Sequence, residues 1–275
     1  MATNRSDGKV EAGKGLRIGI IGGAGWLGGA IAAAVLDAGI AAPADLALSY
    51  RSARPDHLPE AFWTQDNQAL ADRSDVIILS VRPADWPHLK VNAEGKLVIS
   101  VMAGIRLAAL CDHHQTRRAV RTLPNAAAAV RKSYTPWTAS RDLQQADRTI
   151  VRAVFGACGV EDEVRTEAEI DYLTGLTGSG PAFPALLAEA MMADAIAHGL
   201  DRQVAQRAVN TVLVGAGRLL EQRDDCPTET VQTFLDYRGT TAAAIEEMAS
   251  AGFATAVARG LAAAFEKSVR MGETS

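Results

Sequence analysis

The first half of the chain alternates short apolar runs with longer segments of helical character. The runs Val76–Val81 and Leu97–Val101 are continuously apolar at their centres, which is typical of strands buried on both faces of a sheet. Leu46–Tyr50 and Ala119–Leu123 are shorter candidates for strands. Because strands separated by helix-length segments form parallel sheets with right-handed crossovers, residues 17 to about 125 predict an α/β fold with a parallel sheet.

The hydrophobic pattern changes near residue 165, where the charged segment Glu161–Glu169 ends the strand signals. Beyond it, apolar residues recur at three- and four-residue spacings, which predicts an all-helical domain. The expected helices are Pro184–His198, Arg202–Glu221, Thr228–Leu235, Thr240–Ser250 and Phe253–Met271. The segment from 184 to 221 is apolar on more than one face, as in a bundle or a dimer interface. We therefore predict a disordered leader over residues 1–15, an α/β domain over 16–165 and a helical domain over 166–275.

Composition narrows the class of protein. The chain has 275 residues, a net charge of −4 and 22% charged residues, which argues against a nucleic-acid partner or a membrane-surface partner. Aromatic residues make up only 5% and alanine is frequent, so we expect part of the burial to come from a partner subunit.

Cysteine and histidine usage gives two further expectations. The three cysteines are far apart in sequence, which favours a reducing cytoplasm and predicts neither a disulfide framework nor a metal site. We interpret the His113–His114 pair as a solvated helix end or loop, because no further ligands lie near it in sequence.

A glycine cluster follows the apolar run Ile18–Ile21 and precedes the alanine-rich segment Ala30–Ala38. Gly23, Gly25 and Gly28 fit the G-x-G-x-x-G fingerprint of dinucleotide-binding folds of the Rossmann type. In that motif the glycines permit a tight turn, close approach of a pyrophosphate and close helix packing, and the pyrophosphate binds at the positive end of the helix. The expected cofactor contacts are Gly23, Ala24, Gly25, Trp26, Leu27 and Gly28. The alternative is a glycine-rich turn in another α/β protein.

The segment Ser49–Arg54, after the second strand, favours NADPH over NADH. NAD-binding versions of this fold carry an acidic residue there, whereas this segment has hydroxyls and two arginines. Since arginine binds a phosphate with two parallel hydrogen bonds, we expect Ser49, Arg51 and Ser52 to contact the 2′-phosphate. The alternative for Arg51 and Arg54 is a solvated loop.

Two further segments end buried strands at what is predicted to be the same sheet edge. We expect Val81, Arg82 and Pro83 after one strand, and Ala103 after the next, to contact the cofactor. Small residues there leave space for the ribose and nicotinamide, although either segment is also consistent with an ordinary turn.

With these motifs in place, the chain after about Leu16 resembles the pyrroline-5-carboxylate reductase family. The segments that carry the resemblance are Thr174–Phe183, Ser80–Pro83, Ile99–Gly104, Arg121–Asn125 and Gly239–Thr241. The resemblance implies NAD(P)H-dependent reduction of the C=N bond of a small cyclic imine, in a homodimer or larger assembly whose helical domains interleave.

The resemblance also implies roles for individual residues. Gly239, Thr240 and Thr241 match the family's substrate loop, where backbone amides hold the substrate carboxylate and the Thr241 hydroxyl lies near the ring nitrogen. The residues expected to act in catalysis are Thr241, Thr240 and Ser179, and those expected to bind substrate are Gly239, Thr240, Thr241, Arg238 and Gly180. Arg82 stands where the family often has lysine, and Asn125 falls on its proline–asparagine pair at the nicotinamide side.

Four departures from the family leave other functions open. The glycine turn is one residue longer than usual and resembles that of F420-dependent NADP oxidoreductases. No proline follows Asn125 closely, Asp236-Tyr237-Arg238 replaces a serine–proline–glycine sequence, and Asp224-Asp225 replaces a single acid. The alternatives are therefore a reductase of another cyclic imine or ketone, a non-catalytic NADPH-binding protein, and F420-linked hydride transfer. The predicted helices Pro184–His198 and Arg202–Glu221 contain no lysine, which counts against a hydroxyacid dehydrogenase.

Overall fold

The computed structural model describes residues 15–222 and 226–273. Most of the predicted leader and the Asp224–Asp225 pair lie outside these ranges. The chain divides into two units, one ending at Asp171 and including the C-terminal segment from Val269, the other spanning Tyr172–Ser268.

The sheet of the first unit confirms the predicted Rossmann-type architecture. The strands in the described residues are β1 Ile18–Ile21, β2 Leu46–Ser49, β3 Phe62–Thr64, β4 Val76–Leu79, β5 Leu97–Ser100, β6 Arg118–Thr122, β7 Ser133–Ala139 and β8 Gly159–Glu163. They are ordered β3-β2-β1-β4-β5-β6-β7-β8, and β7 runs antiparallel to β6 while the other neighbouring pairs are parallel. Since the strand order reverses between β1 and β4, the crevice at their carboxyl ends is where open α/β sheets bind ligands.

Helices cover both faces of this sheet, so alternate residues of each central strand enter different cores. The helices are α1 Trp26–Asp37, α2 Asn67–Asp72, α3 Leu107–His114, α4 Gln145–Gly156 and α5 Glu167–Leu173. In β1, Ile18 and Ile20 pack in one core, whereas Ile21 packs in the other. In β4, Ile78 and Ile77 divide in the same way, which accounts for the continuous apolar runs.

The sequence pattern did not predict β3, β7 or β8. The first is only three residues long, and β7 contains Pro136, a residue that cannot donate to a strand ladder. The edge strand β8 carries Glu161, Asp162 and Glu163, and charged residues of this kind discourage pairing with another sheet edge.

The two units divide inside α5, later than the predicted boundary near residue 165. Two carboxylates of α5 explain this position. Glu167 and Asp171 both pair with the buried Arg121 of β6, so most of α5 belongs to the α/β unit.

The second unit is helical, as predicted, and its observed helices differ from the predicted ones by at most a few residues. They are α6 Ala182–Ala197, α7 Arg202–Gln222, α8 Pro227–Asp236, α9 Thr240–Ser250 and α10 Phe253–Glu273, and a π-helical turn over Thr174–Gly178 precedes α6. Apolar residues lie on more than one face of α6, as predicted, and they are more clearly separated from the polar residues in α7. Within the described ranges no single helix is long and apolar enough to cross a membrane. Only α9 and α10 taken together pass that test, and the chain bends by 54° between them.

Within one chain, the helical unit buries little of its apolar surface. Few of its described residues are buried, and those that are buried have small side chains or none: Gly175, Ala205, Val209, Ala242 and Ser268. Large apolar side chains such as Leu186, Val214 and Phe234 are exposed. Exposed apolar surface of this extent is typical of a protein interface.

His113 and His114 end α3, which agrees with the predicted helix end, but the prediction that they are solvated is wrong for His114. His114 is fully buried, and its Nε2 accepts a hydrogen bond of 3.0 Å from the indole N–H of Trp86. Its Nδ1 lies 3.0 Å from the Val91 carbonyl, so the imidazole donates from Nδ1 and is neutral. Burial is the largest cause of a lowered His114 pKa.

We expect the fold to lose stability in mild acid because of His114. In the unfolded chain its pKa returns to about 6.5, so below that pH the unfolded state binds more protons than the folded state. Stability therefore falls as the pH drops from this value towards the lower folded pKa, by up to about 1.4 kcal/mol per pH unit. Urea unfolding between pH 7.5 and 5 should show this slope, and His114→Gln should reduce it. An unaltered slope in the His114→Gln variant would disprove the assignment.

Candidate functional site

The turn between β1 and α1 requires a glycine that the fingerprint did not include. Gly22 has φ = +84°, and a Cβ there would lie 2.2 Å from the backbone oxygen of Ser80. No side chain fits this position, because a left-handed backbone and a backbone contact exclude it together. Gly22 is the additional residue of the longer turn, which was the only sequence signal for it.

The three predicted glycines have distinct surroundings. A Cβ on Gly28 would lie 2.4 Å from the Gly22 oxygen, so this glycine lets α1 pack directly on the turn. Gly23 is buried beside Leu48, whereas Gly25 is exposed and begins α1 without a side-chain cap.

The exposed part of this turn fits a pyrophosphate. Ala24, Gly25 and Trp26 are exposed, and the first N–H groups of α1 lie beside them. Backbone N–H groups at a helix N-terminus are the donors that phosphates prefer. Leu27 instead packs against the core, so its predicted contact with the cofactor is limited to its backbone.

Of the residues at the end of β2 and just after it, one has a structural role and the others are exposed at the sheet edge. Ser49 is buried, and its Oγ accepts a hydrogen bond of 2.9 Å from the Gly22 N–H, so its side chain holds the glycine turn. Arg51 and Ser52 are exposed at the same sheet edge. Gln65 donates a hydrogen bond of 2.8 Å to the Arg51 carbonyl, and Arg54 donates to the Pro59 carbonyl at 3.3 Å.

The segments after β4, β5 and β6 follow neighbouring strands at this edge. Val81 is half-buried and Arg82 is exposed, and Pro83 begins a 3₁₀ helix, Pro83–His88. Ala103 is half-buried beyond β5. Asn125 is buried, and its Oδ1 accepts a hydrogen bond of 2.9 Å from the Ala127 N–H, so it caps the next short helix.

The sheet therefore brings all the predicted cofactor segments to one edge. Because β2, β1, β4, β5 and β6 are parallel, the segments that follow them share the carboxyl edge of the sheet. The exposed cationic side chains of these segments include Arg51, Arg54 and Arg82. In the part of the chain that the structure describes, no group of three or more His, Cys, Asp or Glu side chains could hold a metal ion.

The predicted substrate loop lies in the helical unit, between α8 and α9. Gly239 is the N-cap of α9, and no side chain caps that helix. Thr240 and Thr241 occupy its first turn and are exposed. This arrangement leaves N–H groups and two hydroxyls available within one turn, which suits a small carboxylate.

Arg238 precedes this turn in a left-handed conformation, with φ = +51°. Its side chain is exposed and has no ion pair among the described residues, while Asp236 accepts a hydrogen bond of 2.8 Å from Gln232. Asp236 and Arg238 therefore form no ion pair with each other in the described residues.

Ser179 and Gly180 lie just before α6. The Ser179 Oγ is 3.5 Å from the Thr174 carbonyl, and a Cβ on Gly180 would lie 2.7 Å from the Leu176 oxygen. In the helical unit α6 packs on α7 and α8 packs on α9, so these residues and the Gly239–Thr241 turn belong to different packed pairs.

Comparison with known proteins identifies both parts of the chain. Residues 17–104 match the family described as coenzyme F420-dependent NADP oxidoreductases, and residues 167–271 match the pyrroline-5-carboxylate reductase dimerisation family. The first match agrees with the resemblance of the glycine turn.

Relatives cover nearly the whole chain. The pyrroline-5-carboxylate reductase of Methanosarcina acetivorans is 30% identical, covering 94% of this chain and 98% of its own length. The structure of the Coxiella burnetii enzyme is 24% identical, covers 94% of this chain and 99% of its own, and superimposes with a TM-score of 0.85. A Plasmodium falciparum pyrroline carboxylate reductase with NADP bound is 23% identical, covers 94% and 98%, and has a TM-score of 0.79. Shared sequence over this length, on the same fold, places the chain in the pyrroline-5-carboxylate reductase family of oxidoreductases.

Proposed function

We propose that this protein reduces the C=N bond of 1-pyrroline-5-carboxylate to give proline, with NADPH as the reductant. The observation that carries the proposal is the Gly239–Thr241 turn. Its uncapped N–H groups suit the substrate carboxylate, and its hydroxyls can hydrogen-bond the ring nitrogen. Family membership supports the same reaction.

The carboxyl edge of the sheet is the proposed cofactor site. The glycine turn and the N-terminus of α1 would hold the pyrophosphate, and Arg51 would hold the 2′-phosphate. When bound, the reduced nicotinamide supplies the hydride. The NADP bound to the Plasmodium falciparum relative supports this choice of cofactor.

The remaining chemistry requires little from the protein. A protonated cyclic imine is already electrophilic, so holding the two reactants in alignment can provide most of the acceleration. Thr241, with Thr240 and Ser179, would orient the imine and hydrogen-bond its nitrogen, and Gly180 would leave room beside Ser179. Arg82, Ala103 and Asn125 would border the nicotinamide half.

A second candidate, favoured by Arg238, is a different cyclic imine or ketone. A non-glycine residue in the left-handed region costs about 1 kcal/mol, and such strain often occurs at binding sites. The exposed guanidinium of Arg238 beside the substrate turn suits an additional polar or anionic group on the substrate.

We also propose that the protein acts in the cytoplasm as a homodimer or a larger homo-oligomer. The match of residues 167–271 to a dimerisation family and the exposed apolar side chains of the helical unit support self-association. The free thiols Cys111, Cys158 and Cys226 are consistent with a reducing compartment.

The deciding experiment follows NADPH oxidation with pyrroline-5-carboxylate as the only acceptor, with NADH in parallel. Turnover that is faster with NADPH supports the proposal. If NADPH binds but pyrroline-5-carboxylate is not reduced, a panel of other cyclic imines and ketones separates a changed substrate from a protein without turnover.

Thr241→Val should lower kcat/KM for the imine by about tenfold. The change removes one hydrogen bond to the charged, protonated imine, which contributes about 1.5 kcal/mol and so roughly a factor of ten. Affinity for NADPH should not change, because Thr241 is not among the residues proposed to hold the cofactor. The exposed Thr149→Val in α4 is the matched control. Unchanged kinetics in the Thr241 variant would remove this residue from the proposed site.

A further inference from the structure

A carboxylate from a distant part of the chain lies beside the arginine that is proposed to select the cofactor. An NH1 nitrogen of Arg51 lies 3.5 Å from Oδ2 of Asp85. Arg51 follows β2, whereas Asp85 lies in the 3₁₀ helix that follows β4. Because β1 lies between β2 and β4, this ion pair joins the segments on either side of the glycine turn.

Both partners are fixed by their own segments. The Asp85 N–H donates to the Arg82 carbonyl at 2.9 Å, and the next residue, Trp86, is buried with its indole N–H bonded to His114. The backbone of Arg51 is held by Gln65. The position of the carboxylate is therefore set by the fold, even though both side chains remain accessible, with 77% of Arg51 and 47% of Asp85 exposed.

This carboxylate reverses part of the conclusion drawn from the sequence after β2. That segment has no acid, which favours NADPH, but the fold supplies an acid from 34 residues further along the chain. A carboxylate accepts hydrogen bonds from ribose hydroxyls and favours NADH, while it repels a 2′-phosphate that carries up to two negative charges. It also competes with that phosphate for the same guanidinium nitrogen.

We propose that Asp85 is a specificity-determining residue for the cofactor, which reduces the preference for NADPH that Arg51 creates and allows NADH to be used. The proposal rests on the proposed nicotinamide cofactor site and does not depend on which imine is reduced.

The test measures dissociation constants of NADPH and NADH without any imine, by titrating the tryptophan fluorescence of the full chain. Asp85→Asn should bind NADPH about threefold to tenfold more tightly, and NADH equally well or more weakly. Because the pair is exposed, the gain should shrink in 0.5 M salt, where the screening length falls to roughly 4 Å.

Two controls separate this role from a general change of charge. Asp56→Asn removes an exposed carboxylate of the loop that follows β2, one that has no ion pair among the described residues, and should leave the NADPH-to-NADH ratio unchanged. In an Arg51→Gln background, Asp85→Asn should raise NADPH affinity by a smaller factor than in the parent, since the competition for Arg51 has been removed and only the repulsion of the phosphate remains.

The proposal is overturned if Asp85→Asn leaves the ratio of the two dissociation constants unchanged, or if NADPH binds more weakly to that variant. Equal tightening of both cofactors also overturns it, because that result indicates only a general change of charge. Cofactor binding without reduction of pyrroline-5-carboxylate would contradict the proposed reaction but leave this inference standing. Failure to bind either cofactor would overturn both.

Discussion

Gly28→Ala is expected to weaken NADPH binding by about 100-fold, whereas Gly29→Ala, one residue further along the same helix, should leave it nearly unchanged. A Cβ on Gly28 would lie 2.4 Å from the Gly22 oxygen and 3.0 Å from the Gly22 carbonyl carbon and the Gly23 Cα. All three are backbone atoms, so no side-chain rotation can relieve the contact. The turn itself must move, and with it the N–H groups that are proposed to hold the pyrophosphate.

Gly29 provides the matched control because its surroundings are open. A Cβ there would lie 3.5 Å from the Gly23 oxygen and 3.9 Å from the His57 ring, which are ordinary contacts. Alanine also favours the helix over glycine by about 0.5–1 kcal/mol, so this variant should be slightly more stable than the parent.

The measurement is the dissociation constant for NADPH, with urea unfolding of each variant alongside it. A 100-fold loss corresponds to about 2.7 kcal/mol of binding free energy. Affinity within about threefold of the parent for Gly28→Ala would show that the proposed cradle is not the pyrophosphate site.

The glycine turn illustrates what sequence spacing can predict and what it cannot. The fingerprint located the turn and the helix that follows it, because G-x-G-x-x-G encodes a local strand–turn–helix geometry. It did not single out Gly22, whose need for glycine arises from the Ser80 backbone after β4. That contact connects two strands that are distant in sequence, so no local pattern contains it.

His114 and Asp85 show the same limit for polar residues. The pair His113–His114 gave no sequence signal of burial, since the partners of His114 are Trp86 and the Val91 carbonyl in another segment. Asp85 likewise reaches Arg51 only through the strand order. Hydrophobic periodicity predicted the α/β and helical parts correctly because it is a local property of the sequence, whereas the surroundings of these side chains depend on topology.

The division of the chain at Asp171 has a physical cause that also supplies a strong test of the fold. The Arg121 side chain is completely buried, and its two terminal nitrogens lie 3.1 Å from Glu167 Oε1 and 2.6 Å from Asp171 Oδ1. Asp171 is also buried and pairs with Arg106 at 3.0 Å. Glu167 in addition accepts a hydrogen bond from the Leu107 N–H at the start of α3. The cluster thus connects α5 to β6 and to α3.

Arg121→Met is expected to destabilise the protein by about 3–5 kcal/mol. Removing one partner of a buried ion pair leaves its carboxylates without their counter-charge, and the cost of keeping a charge out of water is large. Arg106 retains one contact with Asp171, so the loss should be nearer to the lower value. Arg121→Lys keeps the charge but not the two-pronged geometry, and it should be intermediate.

Arg17→Met is the matched control, because it removes the same group from an exposed pair. Arg17 contacts Asp75 at 2.5 Å, but about half of each side chain is exposed, with values of 53% and 47%. Exposed pairs of this kind contribute about 0–1 kcal/mol, so this variant should remain close to the parent.

Urea unfolding measures the loss of stability in Arg121→Met and in the control Arg17→Met. Hydrogen exchange shows which part of the fold is affected. Amides of α5 should exchange faster in Arg121→Lys than in the parent, since the cluster holds that helix to the sheet. If Arg121→Met does not accumulate as folded protein, the lysine variant still gives a measurable loss and a local exchange signal. Two results would contradict the role of the cluster: a stability change below about 1 kcal/mol for Arg121→Met, or unaltered exchange in α5 for Arg121→Lys. The cluster would then not explain why the chain divides at Asp171.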